Sequence, residues 1–167
     1  GGVGVHMVQV ARDRGADAVG LDVEDAKLAF VRDELGIAVA GSADFEAIAL
    51  PRAWGSTGPD VVVDLVGTEA SLGWALSRLR PGGRLAVLTT FVGVRAVFEP
   101  REIVLREISV MGSRYAPRAA LLEAAACVAD GRIRPVVSRR VGLDGVEDLH
   151  DDLRVGRVLG RGALVWE

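Results

Sequence analysis

Cysteine and lysine are almost missing from this sequence of 167 residues, in which Cys127 and Lys27 are the single examples. One cysteine excludes a disulfide framework within the chain, and it excludes a zinc site built from the chain's own cysteines. We attribute the preference for arginine to genome composition. The formal net charge is -3, and no basic stripe is present. The sequence therefore gives no indication of a nucleic-acid partner.

Long apolar runs and aromatic side chains are also scarce. Aromatic residues make up 5% of the sequence, although 50% of it is hydrophobic. No apolar run approaches the ~20 residues that span a bilayer, and no signal peptide is visible. We therefore expect a globular, soluble, cytoplasmic protein with no membrane partner. The aliphatic-rich composition is typical of parallel β-sheets that are covered on both faces.

Helical and strand patterns alternate along the whole chain. In the first predicted helix Val5, Val8 and Ala11 share one face, and Gly15 ends it. The clearest predicted strand is the β-branched segment VVVDLV, which is too short for a helix. Strands are also predicted at DAVGLD, IAVAG, RLAVLTT, REISVMGSR, PVVSRRV and GALVW, and helices at EDAKLAFVRDEL, 45–50, 69–79, RAALLEAAACVAD and DGVEDLHDDLRV. This alternation predicts an α/β fold, a doubly wound parallel sheet with helices on both faces in three layers.

A glycine-rich turn opens the sequence, in the segment GGVGVHMVQVARDRG. Gly1 and Gly2 would allow the backbone to approach a phosphate closely, and Gly4 would allow the following helix to pack on its strand. The helix N-terminus would present unpaired N–H groups to an anion. A bare G-x-x-G pattern also occurs in ordinary turns, so this motif is a weak signal on its own.

Asp22 strengthens this interpretation. It ends the next predicted strand, eighteen positions after Gly4, where a carboxylate accepts hydrogen bonds from the ribose hydroxyls of a dinucleotide. The same carboxylate would repel a 2′-phosphate, so it favours NAD over NADP. The alternative is that Asp22 is the N-cap of the helix that begins near Glu24, and the two roles are compatible.

Five segments occur in a fixed order and at spacings that fit one family. They are GGVGVHMVQVARDRGADAVGLDVEDAKLAF, DVVVDLVG, LRPGGRLAVL, REISVMGSRY and GRVLGRGALVW. Together they resemble the C-terminal, NAD-binding half of the zinc-containing alcohol dehydrogenases, in the medium-chain dehydrogenase/reductase family. The resemblance implies a Rossmann-like NAD-binding domain over residues 1–112 and a C-terminal portion of the catalytic domain over 113–167. It also implies hydride transfer between an alcohol or carbonyl substrate and NAD.

The resemblance implies roles for single residues around the pyrophosphate and the adenosine ribose. Gly2 and Val3 would offer backbone N–H groups to the pyrophosphate. Asp22 and Lys27 would hold the ribose. Arg161 matches a family arginine that pairs with the pyrophosphate, and its planar guanidinium suits a phosphate. Without the resemblance, the alternative for Arg161 is a solvent-facing side chain.

The resemblance places four further residues along the cofactor. Leu65 and Val66, at the end of VVVDLV, would border the adenine and nicotinamide side of the cleft. Leu88 and Thr89 would lie along the nicotinamide.

Features outside this sequence are implied as well. In the family, a first strand precedes the glycine turn, and an N-terminal catalytic domain before it holds zinc through cysteine and histidine ligands. Because the sequence begins inside the turn, we expect a sheet that lacks its first strand and a fragment that is inactive alone. We expect zinc only in the absent domain. His6, His150 and Cys127 show no ligand spacing, and we assign no catalytic or metal-binding residue to the chain.

Three other functions stay open. An S-adenosylmethionine-dependent methyltransferase shares the glycine turn, the acidic strand end and an LRPGGRL-like turn, but it has no counterpart of the C-terminal segments. A zinc-free quinone or enoyl reductase of the same superfamily commonly uses NADPH, against which Asp22 argues. The third is a non-catalytic remnant. By resemblance we expect the intact enzyme to be a homodimer or homotetramer, with REISVMGSR pairing across a two-fold axis.

Overall fold

A computed structural model describes residues 1–51, 54 and 57–166, the side chain of Glu46 excepted. The internal contacts divide the chain into two compact units. Unit A consists of residues 1–41 and the chain from Pro117 onward. Unit B consists of residues 42–116.

Unit A is built from helices and two pairs of parallel strands. Strand β1 (Val19–Asp22) pairs with β2 (Ala38–Gly41) in a register that runs from Val19 opposite Ala38 to Asp22 opposite Gly41. Strands β6 (Val137–Val141) and β7 (Arg161–Leu164) form the second parallel pair. The elements in chain order are α1 (Gly4–Asp13), β1 (Val19–Asp22), α2 (Asp25–Leu35), β2 (Ala38–Gly41), α5 (Arg118–Ala129), β6 (Val137–Val141), a 3-10 turn (Leu143–Gly145), α6 (Val146–Arg154) and β7 (Arg161–Leu164).

The core of unit A joins its two sequence segments. Val5 of α1, Leu35, Ile37 and Val136 form one buried cluster, and partly buried aliphatic and aromatic side chains pack against it. Val5 and Val136 are far apart in the sequence, so this cluster attaches the C-terminal segment to the helix that follows the glycine turn.

Unit B holds one three-stranded parallel sheet, in which β4 (Arg84–Val87) lies between β3 (Val61–Asp64) and β5 (Ser109–Gly112). Its buried side chains include Leu79 and Leu85, each 1% exposed. Helix α3 (Glu69–Arg78) packs against the sheet at β3. Thr68 caps α3 by accepting the Ser71 N–H at 3.0 Å, and the Ser71 hydroxyl accepts the Thr68 N–H in return. The elements are a 3-10 turn (Phe45–Ala47), β3 (Val61–Asp64), α3 (Glu69–Arg78), β4 (Arg84–Val87), α4 (Pro100–Arg106) and β5 (Ser109–Gly112).

The predicted alternation of helices and parallel strands is confirmed. Gly15, predicted to end the first helix, follows α1 with a φ of 78°, and Gly36 follows α2 with a φ of 62°. Both adopt the left-handed conformation that glycine reaches without a steric penalty. Several predicted elements are shorter in the structure, among them the strands predicted at RLAVLTT and REISVMGSR, which end at Val87 and Gly112. The helical stretch at 45–50 is a 3-10 turn of three residues, and the strand predicted at VVVDLV ends at Asp64.

Helix α4 was not predicted from the sequence. It has seven residues, begins at Pro100 and has no buried side chain. A helix this short does not fill the window over which the spacing of apolar residues indicates a helix. Arg106 fixes it instead, because the Arg106 guanidinium donates to the Leu76, Ser77 and Leu79 carbonyls at the end of α3. The last carbonyls of a helix lack intrahelical donors, and a cation there is favourable.

Several strand edges have no partner among the described residues. Among these residues strand β1 pairs only with β2, and β3 pairs only with β4. Strand β5 ends the sheet of unit B, and all four of its residues are exposed. Val165 and Trp166, after β7, are exposed. None of the helices that the structure describes has the length and apolar character that a membrane span requires.

Candidate functional site

The glycine turn lies against the segment that begins β7. A Cβ atom built on Gly2 would lie 2.7 Å from the Gly160 carbonyl oxygen and 2.9 Å from Cδ and Nε of Arg161. Carbon atoms do not approach this closely, so only glycine permits the contact. Helix α1 begins directly afterwards, with Val3 as an N-cap that makes no side-chain hydrogen bond. The Val5 and His6 N–H groups donate to the Gly1 and Val3 carbonyls at 3.1 Å each. The N–H groups of Gly2, Val3 and Gly4 have no backbone acceptor among the described residues, so they are left for another acceptor.

Asp22 ends β1 beside the glycine turn. Its Oδ2 lies 3.6 Å from the nitrogen of Gly1. Its Oδ1 accepts the Glu24 N–H at 3.1 Å. Helix α2 begins at Asp25, and Glu24 is its N-cap, so the alternative that Asp22 caps this helix is wrong. Asp22 instead closes a local turn with one oxygen and directs the other toward the glycines.

Two cations of unit A were predicted to hold the dinucleotide. The Arg161 side chain lies along Gly2, and the described residues provide it with no carboxylate partner. Lys27 of α2 is a half-buried residue, and its ammonium nitrogen lies 3.7 Å from the position that a Cβ on Gly156 would occupy. The structure thus brings Gly1, Gly2, Asp22 and Arg161 together and places Lys27 beside another glycine of the same unit.

The other four predicted residues belong to unit B and follow two adjacent strands. Leu65 and Val66 come after β3, and Leu88 and Thr89 come after β4. The Leu88 N–H donates to the Asp64 carbonyl at 3.1 Å, which fixes the two strand ends side by side.

Asp64 shapes this pair of strand ends, and the sequence reasoning gave it no role. It is 5% exposed, and its Oδ1 accepts the N–H groups of Val66 at 2.7 Å and Gly67 at 2.6 Å. A Cβ on Gly67 would overlap the Thr89 hydroxyl. The signal was present, because an aspartate followed by glycine three residues later is typical of a side-chain-closed turn.

His6 and Gln9 of α1 are the other residues that were missed. No role for His6 was predicted from the sequence, but both its ring nitrogens bind backbone groups, those of Gly2 and Val136. Gln9 is 2% exposed and bonds in both directions with the backbone of Arg134, at 3.0 Å and 2.8 Å. The partners Val136 and Arg134 lie more than a hundred residues away, so no local pattern could have indicated them.

Comparison with known proteins decides the family. The family model described as zinc-binding dehydrogenase matches residues 2–130. The chain belongs to this family. Its relatives include an acryloyl-coenzyme A reductase of Metallosphaera sedula, 32% identical over 95% of this chain and 47% of the relative. They also include an NAD-dependent alcohol dehydrogenase of Saccharolobus solfataricus, 26% identical over 99% of this chain and 48% of the relative.

A solved structure supports the same assignment. The alcohol dehydrogenase of Aeropyrum pernix matches 97% of this chain and 46% of its own with a TM-score of 0.85 and 27% identity. The predicted Rossmann-like fold is therefore confirmed. The chain spans about half the length of the relatives it matches. The alternative of a methyltransferase has no support from these comparisons, which are to dehydrogenases and reductases.

The described residues do not fit a zinc ion, although the family is named for one. Over residues 1–51, 54 and 57–166, no three His, Cys, Asp or Glu side chains form a group that could hold a metal. His6, His150 and Cys127 therefore belong to no group of this kind.

Proposed function

We propose that this chain is the nucleotide-binding half of an oxidoreductase that transfers a hydride between an alcohol or carbonyl substrate and NAD. The observation that carries the proposal is the convergence in unit A of the glycine turn, the Asp22 carboxylate and the unpaired Arg161 guanidinium. Each of these groups matches one part of a dinucleotide in charge and hydrogen-bonding character. NAD supplies the hydride chemistry, and the chain's own residues bind and orient it.

The pyrophosphate is assigned to the turn before α1. The unpaired N–H groups of Gly2 and Val3 and the partial positive charge of the helix N-terminus attract an anion there. Gly1 and Gly4 let the backbone approach it closely. Arg161 adds a full positive charge beside Gly2.

The adenosine ribose is assigned to Asp22 at the end of β1. Lys27, on α2, is a second polar group for the same ribose. Because Oδ1 of Asp22 already accepts the Glu24 N–H, Oδ2 is the oxygen available to the ribose hydroxyls. A 2′-phosphate would place like charge against this carboxylate. We therefore infer a preference for NAD over NADP.

The roles of Leu65, Val66, Leu88 and Thr89 along the adenine and nicotinamide stay predictions from the resemblance. The same holds for the division of the chain at residues 112 and 113, for the homodimer or homotetramer, and for zinc in an N-terminal domain. The exposed, unpaired edge of β5 supports pairing between two copies.

A second candidate is a reductase of acyl-coenzyme A or related unsaturated substrates. It is favoured by the acryloyl-coenzyme A reductase, which at 32% identity is more similar than the alcohol dehydrogenase at 26%. Asp22 argues against it to the extent that such enzymes use NADPH. Rates of NADH oxidation with acryloyl-coenzyme A and with simple ketones would separate the two.

The proposal is tested by titrating NADH and NADPH into the full-length natural protein that contains this chain. We expect Asp22→Ser to weaken NADH binding by about tenfold to a hundredfold, because a charged acceptor on the ribose is lost. The same variant should bind NADPH no worse than the unmodified protein. Equal binding of NADH and NADPH before mutation would refute the role of Asp22, and no binding of either would refute the proposed function.

A further inference from the structure

His6 forms two hydrogen bonds that join the glycine turn to the C-terminal segment. Its Nδ1 lies 2.8 Å from the Gly2 carbonyl oxygen, and its Nε2 lies 3.0 Å from the Val136 nitrogen. A carbonyl oxygen only accepts, and a backbone N–H only donates. The neutral His6 ring that makes both bonds therefore carries its hydrogen on Nδ1. Its Nδ1–H donates to the Gly2 carbonyl, and its Nε2 accepts the Val136 N–H.

The bond to Gly2 fixes the orientation of one peptide plane. The backbone N–H of His6 bonds to the Val3 carbonyl at 3.1 Å, so the side chain supplies the donor for Gly2. The peptide between Gly2 and Val3 is trans and planar, and its C=O and N–H groups point in opposite directions. Holding the Gly2 carbonyl toward the His6 ring thus aims the Val3 N–H away from the ring, as an unpaired donor before α1.

The bond to Val136 connects the ring with Arg161. The Val136 carbonyl accepts the Arg161 N–H at 2.8 Å. The Arg161 side chain then lies against Gly2, which closes a circuit of contacts from Gly2 through His6, Val136 and Arg161 back to Gly2. Val136 is 5% exposed, so its N–H depends on the His6 acceptor.

We propose that His6 is a positioning residue for the dinucleotide pyrophosphate, because it sets the direction of the Val3 N–H and, through Val136, the place of Arg161. This inference rests on the proposed function above. It adds a residue that does not touch the dinucleotide and acts through two groups that do.

Two isosteric variants separate the two bonds of the ring. In His6→Asn the side-chain amide can take the place of Nδ1 and donate to Gly2, but it does not reach Val136. In His6→Gln the longer side chain can take the place of Nε2 and accept from Val136, but it does not donate to Gly2. His150→Asn and His150→Gln are matched controls, since His150 lies exposed on α6.

NADH binding and thermal unfolding of the full-length protein are measured for each variant. We expect His6→Gln to weaken NADH binding by about tenfold to a hundredfold and His6→Asn to weaken it by less than about fivefold. We expect the opposite order in thermal stability, with His6→Asn melting about 2–4 °C lower because the buried Val136 N–H loses its acceptor. The controls should change neither quantity.

The crossed order of binding and stability distinguishes positioning from a purely structural role. If the unmodified protein binds NADH and both variants lose affinity in proportion to their melting temperatures, the positioning role is refuted while the proposed function stands. If both variants bind NADH as tightly as the unmodified protein, it is refuted as well. If the unmodified protein does not bind NADH, the proposed function fails and this inference fails with it.

Discussion

Substitution of Gly2 by alanine tests the contact between the glycine turn and the segment that begins β7. The added Cβ would lie 2.7 Å from the Gly160 carbonyl oxygen and 2.9 Å from two atoms of Arg161. The arginine side chain can move, but the carbonyl belongs to backbone that is itself packed on Val136, where a Cβ on Gly160 would overlap. The backbone must therefore shift.

The expected cost follows from two opposing effects. Forcing an extra methyl group into a packed contact costs about 1–3 kcal/mol. Replacing glycine by alanine returns about 0.4–1 kcal/mol by restricting the unfolded chain. The packing cost is larger, so Gly2→Ala should lower the free energy of unfolding by about 1–2 kcal/mol.

Two other glycines are controls for this prediction. Gly1 and Gly73 have no atom within 4 Å of a built Cβ, and Gly73 lies inside α3. Gly73→Ala should stabilise the protein by about 0.5–1 kcal/mol, and Gly1→Ala should not destabilise it. The assay is thermal or urea unfolding of the full-length protein, followed by NADH titration, in which Gly2→Ala should also bind more weakly because Arg161 is displaced. A Gly2→Ala protein as stable as the unmodified one, with unchanged NADH affinity, would refute the close contact.

Three further predictions address the charge, the sheet edge and the isolated chain. Arg161→Gln should weaken NADH binding by about tenfold, because a charged partner of the pyrophosphate is lost. It should change the free energy of unfolding by less than about 1 kcal/mol, because the side chain is exposed, and an unchanged NADH affinity would show that Arg161 is not part of the site. Val110→Lys on the exposed edge of β5 should convert a dimer into a monomer in light scattering, and an unchanged mass would argue against pairing through this strand. The 167-residue chain alone should show no cooperative unfolding and no alcohol oxidation with added zinc, because the free edges of β1 and β3 leave backbone groups unpaired. A sharp transition with turnover would contradict that expectation.

Much of the fold was predictable because its signals are local. Val5, Val8 and Ala11 mark the inward face of α1, and Gly15 and Gly36 stop helices by adopting a positive φ. Asp22 was predicted at the end of a strand and lies there. The exact end of β3 at Asp64 was missed, because the pattern of VVVDLV predicts one continuous strand. In the structure the Asp64 side chain accepts the Val66 and Gly67 N–H groups, and this turn ends the strand.

The contacts that complete the site were not predictable, because they join distant segments. The bond between His6 and Val136 joins residues 130 positions apart, and the bond between Gln9 and Arg134 joins residues 125 positions apart. Their partners are backbone groups, which leave no trace in the identity of residues 134 and 136. The identification of Arg161 depended on family resemblance, since an arginine on a short terminal strand is most simply a surface residue.

A crystal structure of the full-length protein with NADH bound tests the central claim most directly, because it shows which protein atoms contact the pyrophosphate and the adenosine ribose. We predict pyrophosphate oxygens within hydrogen-bonding distance of the Val3 nitrogen and the Arg161 guanidinium, and ribose hydroxyls on Oδ2 of Asp22. A dinucleotide bound elsewhere, or one whose pyrophosphate contacts neither Val3 nor Arg161, would contradict the account.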